Sequence, residues 1–217
     1  MEVIPLKEIQ KKIAEISSGQ KVQLIAVSKN QSLDQIKSLY EDGQRLFAEN
    51  YVQEALQKIE QLKDLDIEWH FIGHLQTNKV KNVIGYFHLI HSVDSIKLLE
   101  AIQKTAEKKN IVQKILLQVN FSQESTKEGF EASQLLPLVS KLNQYPNVQV
   151  LGLMTMPPLA ENPEDNRIYF QQAKKLLDQT GWPHLSMGTS HDYIVAIEEG
   201  ATLVRLGTIL FGVRKKY

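Results

Sequence analysis

Eight short apolar runs, each followed by polar or helical stretches, constrain this chain more than any other feature. The runs cover residues 22–28, 45–48, 68–72, 87–92, 114–120, 148–154, 184–186 and 202–206. Helical spacing marks residues 52–62, 95–107, 132–142 and 166–180 between them, and an amphipathic pattern (Ile4, Leu6, Ile9, Ile13, Ile16) opens the chain. Strands alternating with helices imply a parallel sheet, because each parallel connection must cross back over a sheet face. Eight repeats in 217 residues predict a single (β/α)8 barrel, short for its kind. A doubly wound open sheet accommodates the same periodicity. No linker, low-complexity tract or charge block divides the chain, so residues 1–217 read as one domain. The stretch Met156-Pro157-Pro158, continuing to Asn162-Pro163, reads as a loop after the sixth strand.

Composition narrows the function classes. Lys and Arg total 25 and so do Asp and Glu, so the basic footprint of a nucleic-acid binder is absent. There is no cysteine, which excludes disulfides, a thiolate nucleophile and cysteine-ligated metal, and suits a cytoplasmic protein. Residues 1–18 are charged throughout and lack the apolar core of a signal peptide. No apolar run approaches the roughly 18 residues of a membrane span.

A barrel keeps its chemistry at the carboxyl ends of its strands. The first run, Leu24-Ile25-Ala26-Val27-Ser28, ends in Lys29. An amine at a barrel mouth can lose solvent and its proton and then attack an aldehyde to form a Schiff base. Around the seventh strand lie Gly188 and Ser190, and after the eighth lie Gly207 and Thr208. Loops at these two places often bind phosphate, with glycines admitting the anion and hydroxyls and backbone N–H groups donating to it. The first strand neighbours the eighth when the barrel closes, so amine and phosphate site face one ligand. An aldehyde carrying a phosphate points to pyridoxal 5′-phosphate (PLP). Arg205 stands two residues before Gly207, where it can meet a ring nitrogen. Arginine keeps its proton, so that nitrogen would stay unprotonated and be a weak electron sink.

Plainer readings exist for each residue. Lys29 can be a solvated lysine before a helix, and Ser186 and Ser190 can be helix caps. Arg205 can be an ion-pair partner and Asn50 a cap for the helix after it. His70 and His74 are four apart, but the first falls within a strand and the second beyond its end, so no metal site is expected. The run Ser190-His191-Asp192 is not a triad, because triad members meet in space and not in sequence.

The chain resembles the YggS/PROSC-type PLP-binding proteins, also called PLP homeostasis proteins. The matching segments are Ala26-Val27-Ser28-Lys29, Phe47-Ala48-Glu49-Asn50-Tyr51-Val52-Gln53-Glu54 and Trp69-His70-Phe71-Ile72-Gly73-His74-Leu75-Gln76-Thr77-Asn78-Lys79. Further matches are Gly152-Leu153-Met154-Thr155, residues 185–192 and residues 204–212. The resemblance implies a single (β/α)8 TIM barrel of the alanine racemase N-terminal domain type. It implies that Lys29 carries PLP as an internal aldimine, that Ser190, Gly207 and Thr208, with Ser186, hold the phosphate, that Arg205 faces the pyridine nitrogen, and that Asn50 lies near the cofactor. Two departures stand out. Ala48 replaces a usual glycine, which would restrict the loop before Asn50 if φ > 0 were needed there, and Thr189 replaces a frequent methionine.

The family implies a PLP carrier or regulator without clear turnover, whose partners include PLP-dependent apoenzymes. A PLP-dependent amino-acid racemase is the alternative. Alanine racemase needs a second base, a tyrosine supplied through an extra β-domain and a partner subunit. This chain ends with the barrel, at Phe211-Gly212 and the tail 213–217, so a monomer with an open cofactor is expected. A class I aldolase would use the lysine without PLP and leaves residues 205–208 unexplained.

Overall fold

A computed structural model of the chain describes residues 3–122 and 128–212. The tail 213–217 lies outside the described residues. Strands β1 (Gln23–Val27), β2 (Leu46–Glu49), β3 (Glu68–Phe71), β4 (Leu89–Val93) and β5 (Gln113–Asn120) come first. They are followed by β6 (Phe130–Glu131), β7 (Val148–Met154), β8 (His184–Thr189) and β9 (Leu203–Leu206). The hydrogen-bonded order is β4-β3-β2-β1-β9-β8-β7-β5, and a β4–β5 pairing closes the ring. Every pairing is parallel. The open-sheet alternative is therefore excluded, and the barrel is the expected eight-stranded one. Strand β6 was not expected from the sequence. It pairs Phe130 with Val119 and Glu131 with Asn120 beside the end of β5, and two residues carry no readable period.

The helices form where apolar spacing and caps agree. Helices α1 (Leu6–Ile16), α2 (Leu33–Glu41), α3 (Val52–Gln61) and α4 (Ile96–Lys108) are followed by α5 (Ala132–Val139), α6 (Arg167–Leu177), α7 (Tyr193–Glu198) and α8 (Thr208–Phe211). A capping box opens α2. The Ser32 hydroxyl accepts from Gln35 N–H, and the Gln35 amide oxygen accepts from Ser32 N–H. Ser95 caps α4 in the simpler way. Helix α5 stops before its expected end at 142, with Pro137 inside it removing a donor from the helical ladder. No helix among the described residues is long and apolar enough to cross a membrane.

Strand alternation sorts the side chains into two layers. Leu24 and Ala26 face outward into the large cluster that joins the sheet to its helices, with Phe47, Phe71, Leu99 and Phe170. Ile25 and Val27 face inward and pack with Ala48, Leu89, Leu116, Met154 and Leu203. The register aligns Ala26 with Leu206 and Val27 with Ala48, so the segments after β1, β2 and β9 emerge together at the mouth. Ala48 itself lies in β2, fully buried, and is not among the residues with positive φ. The restriction considered for this position does not arise.

Gly152 shows how tightly the ring closes. A Cβ built there would lie 1.8 Å from the carbonyl oxygen of His184 on the neighbouring strand. Gly152→Ala is expected to push β7 from β8 and cost roughly 2–3 kcal/mol, read as a lower urea midpoint with an unchanged slope.

Candidate functional site at the barrel mouth

Lys29 leaves the end of β1 half-buried, and a buried ionic cluster grips the backbone on both sides of it. The Ser28 hydroxyl donates to Glu49 Oε1 at 2.6 Å. Lys58, on the inner side of α3, donates to the Ser28 carbonyl at 2.6 Å, to Glu49 Oε1 at 2.8 Å and to Glu54 Oε1 at 2.6 Å. Those three acceptors match the three protons of an ammonium group. Glu54 Oε1 also accepts the backbone N–H of Asn30 at 2.6 Å, and Asn30 holds a left-handed φ of 59°. Residues 28 and 30 are thus both tied to one cluster, and Lys29 projects from between them. Glu49 is fully buried, and its Oε2 has no partner. Burial pushes its carboxyl up from the ordinary range, while Lys58 and the Ser28 hydroxyl pull it back.

A second polar group spans the barrel interior. Arg205, on β9 and buried, donates from Nη1 to Ser186 Oγ at 2.6 Å and from Nη2 to the Thr155 carbonyl at 3.0 Å. No carboxylate of the described residues forms an ion pair with it, and the charge of Asp192 acts only from a distance. Burial lowers its pKa to about 10, which leaves the guanidinium charged at neutral pH. Across the barrel, His91 Nδ1 lies 2.8 Å from Ser186 Oγ, and His91 Nε2 lies 2.9 Å from His70 Nδ1. Both histidines are held neutral. His70 is pushed down to about 3 by burial and then by the charges of His88 and His184. Burial, then His70, Arg205 and His184, press His91 well below its ordinary value.

The loops after β8 and β9 meet at Ser190. Its hydroxyl accepts the N–H groups of Gly207, at 3.1 Å, and Ile209, at 3.3 Å, so Ser190 caps the short α8 from across the mouth. The loop bearing Ser190 is braced by Asp192, which accepts from the Thr189 N–H at 2.7 Å, the Thr189 hydroxyl at 2.9 Å and the Asn166 amide at 2.9 Å. Threonine at 189 therefore supplies a second donor to the brace. Gly188 takes φ 87° and abuts Tyr193 and Ala196, where a side chain would collide.

Asn50 follows β2 and lines a cavity of about 330 Å³ with Ile72, His74, Asn120, Met154 and Met156. Its Oδ1 is buried without a hydrogen-bond partner among the described residues. Tyr51, not Asn50, occupies the N-cap position of α3, so Asn50 is not spent as a cap. Gly73 presses against the Asn50 backbone, with no room for a Cβ. His74 lies at the exposed rim, 2.7 Å from Glu128 and 3.6 Å from Asp94, and is remote in role from His70, which is paired inside the barrel.

The structure brings Ser190, Gly207 and Thr208 together at one corner of the mouth, beside β1, where a Cβ on Gly207 would sit 3.4 Å from the Val27 carbonyl. It sets Ser186 apart from that corner. Ser186 is fully buried in β8, and its hydroxyl is engaged by Arg205 and His91. Chemically, the mouth offers an amine at Lys29, hydroxyl and N–H donors near Gly207, and a buried cation with donors to spare at Arg205. Sequence reasoning missed Glu49, Lys58, Thr155, His91 and Asp192. Only Glu54 and Lys58, four apart on one helix, left a usable signal.

Lys58→Met is expected to leave Glu49 as an uncompensated buried carboxylate and to cost about 3–5 kcal/mol by chemical denaturation. The two interior histidines make stability depend on pH. Their folded pKa values lie below the unfolded value of 6.5. The unfolded chain therefore takes up more protons once pH falls below about 6.5, and stability is lost as pH drops through that range, by up to roughly 1.4 kcal/mol per pH unit for each group. Glu49 acts in the opposite sense, so the comparison is with His91→Leu. That variant is expected to lose one proton's share of the slope between pH 6.5 and 5.

The sequence profile described as alanine racemase, N-terminal domain, matches residues 4–215. The pyridoxal phosphate homeostasis protein of Aquifex aeolicus is 51% identical, over 97% of this chain and 95% of its own length. Among solved structures, PipY of Synechococcus elongatus without PLP superposes with a TM-score of 0.84 at 39% identity, covering 94% of this chain and all of PipY. PipY with PLP bound gives 0.83 at 37% identity, with the same coverage. With identity at this level along nearly the whole chain and the barrel in common, this chain belongs to the pyridoxal phosphate homeostasis proteins, within the alanine racemase N-terminal domain family.

Proposed function

We propose that this chain binds pyridoxal 5′-phosphate at the barrel mouth, covalently through Nζ of Lys29, and serves PLP homeostasis without catalytic turnover. The observation that carries this reading is the buried Arg205 guanidinium. Its hydrogen bonds go to a hydroxyl and a carbonyl, and no carboxylate of the described residues neutralises it. A buried cation of this kind can donate to an unprotonated pyridine nitrogen and disfavours a protonated one. Ser190, Gly207 and Thr208 are assigned to the phosphate, and Lys29, gripped on both sides, to the aldehyde. Asn50 Oδ1, buried without a partner, lies at the same mouth and is assigned a place beside the ring. Ser186 belongs with Arg205 rather than with the phosphate.

PLP supplies an aldehyde that condenses with an amine and a ring that can draw electrons from a bound substrate. An arginine at the ring nitrogen weakens that second capacity, which favours holding and releasing the cofactor over carbanion chemistry. The relatives' names, PLP homeostasis proteins, support the same role. We assign the protein to the cytoplasm as a monomer that can supply PLP-dependent apoenzymes.

The test is the visible absorbance of the purified protein after incubation with PLP, with Lys29→Ala alongside. A band attributable to lysine-bound PLP is expected in the parent and absent in the variant. No band in the parent would overturn the cofactor assignment. Incubating the loaded protein with single amino acids in deuterated water then separates carrier from racemase: α-proton exchange at enzymatic rates would make it a racemase, and its absence is expected.

A further inference from the structure

We infer that Ser186, His91 and His70 form a hydrogen-bond relay of fixed polarity that positions Arg205, making Ser186 and His91 positioning residues rather than ligands of the phosphate. The relay runs from β9 through β8 and across the barrel to β4 and β3. Its four members are buried, and each link is 2.6–2.9 Å long.

Its polarity follows from counting donors. A guanidinium only donates, so Ser186 Oγ accepts from Arg205 Nη1. Among the described residues the Ser186 proton then points to the one other polar atom bonded to the hydroxyl, His91 Nδ1. His91 therefore carries its proton on Nε2 and donates it to His70 Nδ1, and His70 carries its own on Nε2. That order leaves a single unpaired group, His70 Nε2, which has no partner among the described residues. The reverse order would leave two, because the Ser186 proton would lose its acceptor while His70 Nε2 stayed unpaired. Unpaired buried polar groups are costly, so the first order is preferred.

The relay has a mechanical consequence for Arg205. Nη1 is fixed by Ser186 and Nη2 by the Thr155 carbonyl, and Thr155 is itself held to Val119 and Ser186 by its hydroxyl and N–H. The plane of the guanidinium is set by Ser186 on β8 and by the Thr155 carbonyl just past β7, and its remaining donors are aimed as a unit. His91 fixes the Ser186 hydroxyl by taking its proton, so the serine lone pairs stay directed at Arg205.

Two measurements test this. The first is the ring-nitrogen NMR of the cofactor-free protein, which does not depend on PLP. Both His91 and His70 are expected with protonated Nε2 and bare Nδ1, and Ser186→Ala is expected to disturb the His91 pattern. A protonated Nδ1 on His91 in the parent would overturn the relay. The second rests on the PLP reading above and compares PLP affinity and absorbance in the parent, Ser186→Ala and His91→Leu, with thermal unfolding as a control for folding. A loss of affinity of roughly three- to tenfold, with a shifted absorbance pH profile, is expected in folded variants. Parent-like affinity and spectrum in a folded Ser186→Ala would refute the positioning role. If the parent itself binds no PLP, the cofactor reading fails, while the NMR result still decides the relay's polarity.

Discussion

The rest of the site depends on how the fold accommodates one buried positive charge. Arg205 lies inside a parallel barrel whose other interior groups are mainly apolar, and no carboxylate of the described residues pairs with it. An isolated charge there is expensive unless hydrogen-bond acceptors surround it. The barrel supplies a carbonyl from the end of β7 and a hydroxyl from β8, and the hydroxyl is in turn held by histidines from the opposite wall. The histidines must be neutral for this to work, and burial keeps them so, aided by the neighbouring histidines and, for His91, by Arg205. The interior thus keeps one positive charge that its own walls hold but do not neutralise.

A different logic governs the lysine. The cluster of Glu49, Lys58 and Glu54 lies outside the ring, between sheet and helix, and carries both charge signs. It contributes nothing directly to the mouth. Its effect is geometric, fixing the Ser28 carbonyl and the Asn30 N–H so that the segment between them has little freedom. Buried ion pairs often add little net stability over an apolar core, but they define geometry when every donor is matched. Here the ammonium of Lys58 has three acceptors, while one carboxylate oxygen of Glu49 has no donor among the described residues. The cluster therefore reads as a positioning device more than a source of stability.

Barrel closure connects the two devices. The register that sets Ala26 against Leu206 brings the lysine segment beside Gly207, and Ser190 arrives from the next strand to bind Gly207 and Ile209. The lysine, the corner of Ser190 and Gly207, and the buried arginine are contributed by β1, β8 and β9, which are adjacent in space although the first is separated from the last two by most of the chain. Asp192 holds the Ser190 loop, and Gly188 allows that loop to turn where any side chain would meet Ala196.

The sequence alone determined a parallel α/β chain and which residues stand at the carboxyl ends of its strands. Eight apolar runs with helical stretches between them leave few topologies, and a lysine or a Gly-Thr pair at the end of such a run is legible because strand ends are legible. Lys29, Ser190, Gly207 and Thr208 fell where the pattern put them. Tertiary structure decided closure over an open sheet, since the β4–β5 pairing joins runs whose periodicity is the same in either case. It also decided the company each residue keeps. Ser186 is one residue among several plausible donors in the sequence, and only its inward place on β8 sets its hydroxyl against Arg205 and His91. His91 carried no signal, and Glu49 stood in a matching segment without a role, because a polar residue inside a strand looks the same whether it faces solvent, helix or barrel interior. Local spacing encodes which face a residue shares with its near neighbours in sequence, but contacts across a closed ring depend on strand order and shear, which no local pattern specifies.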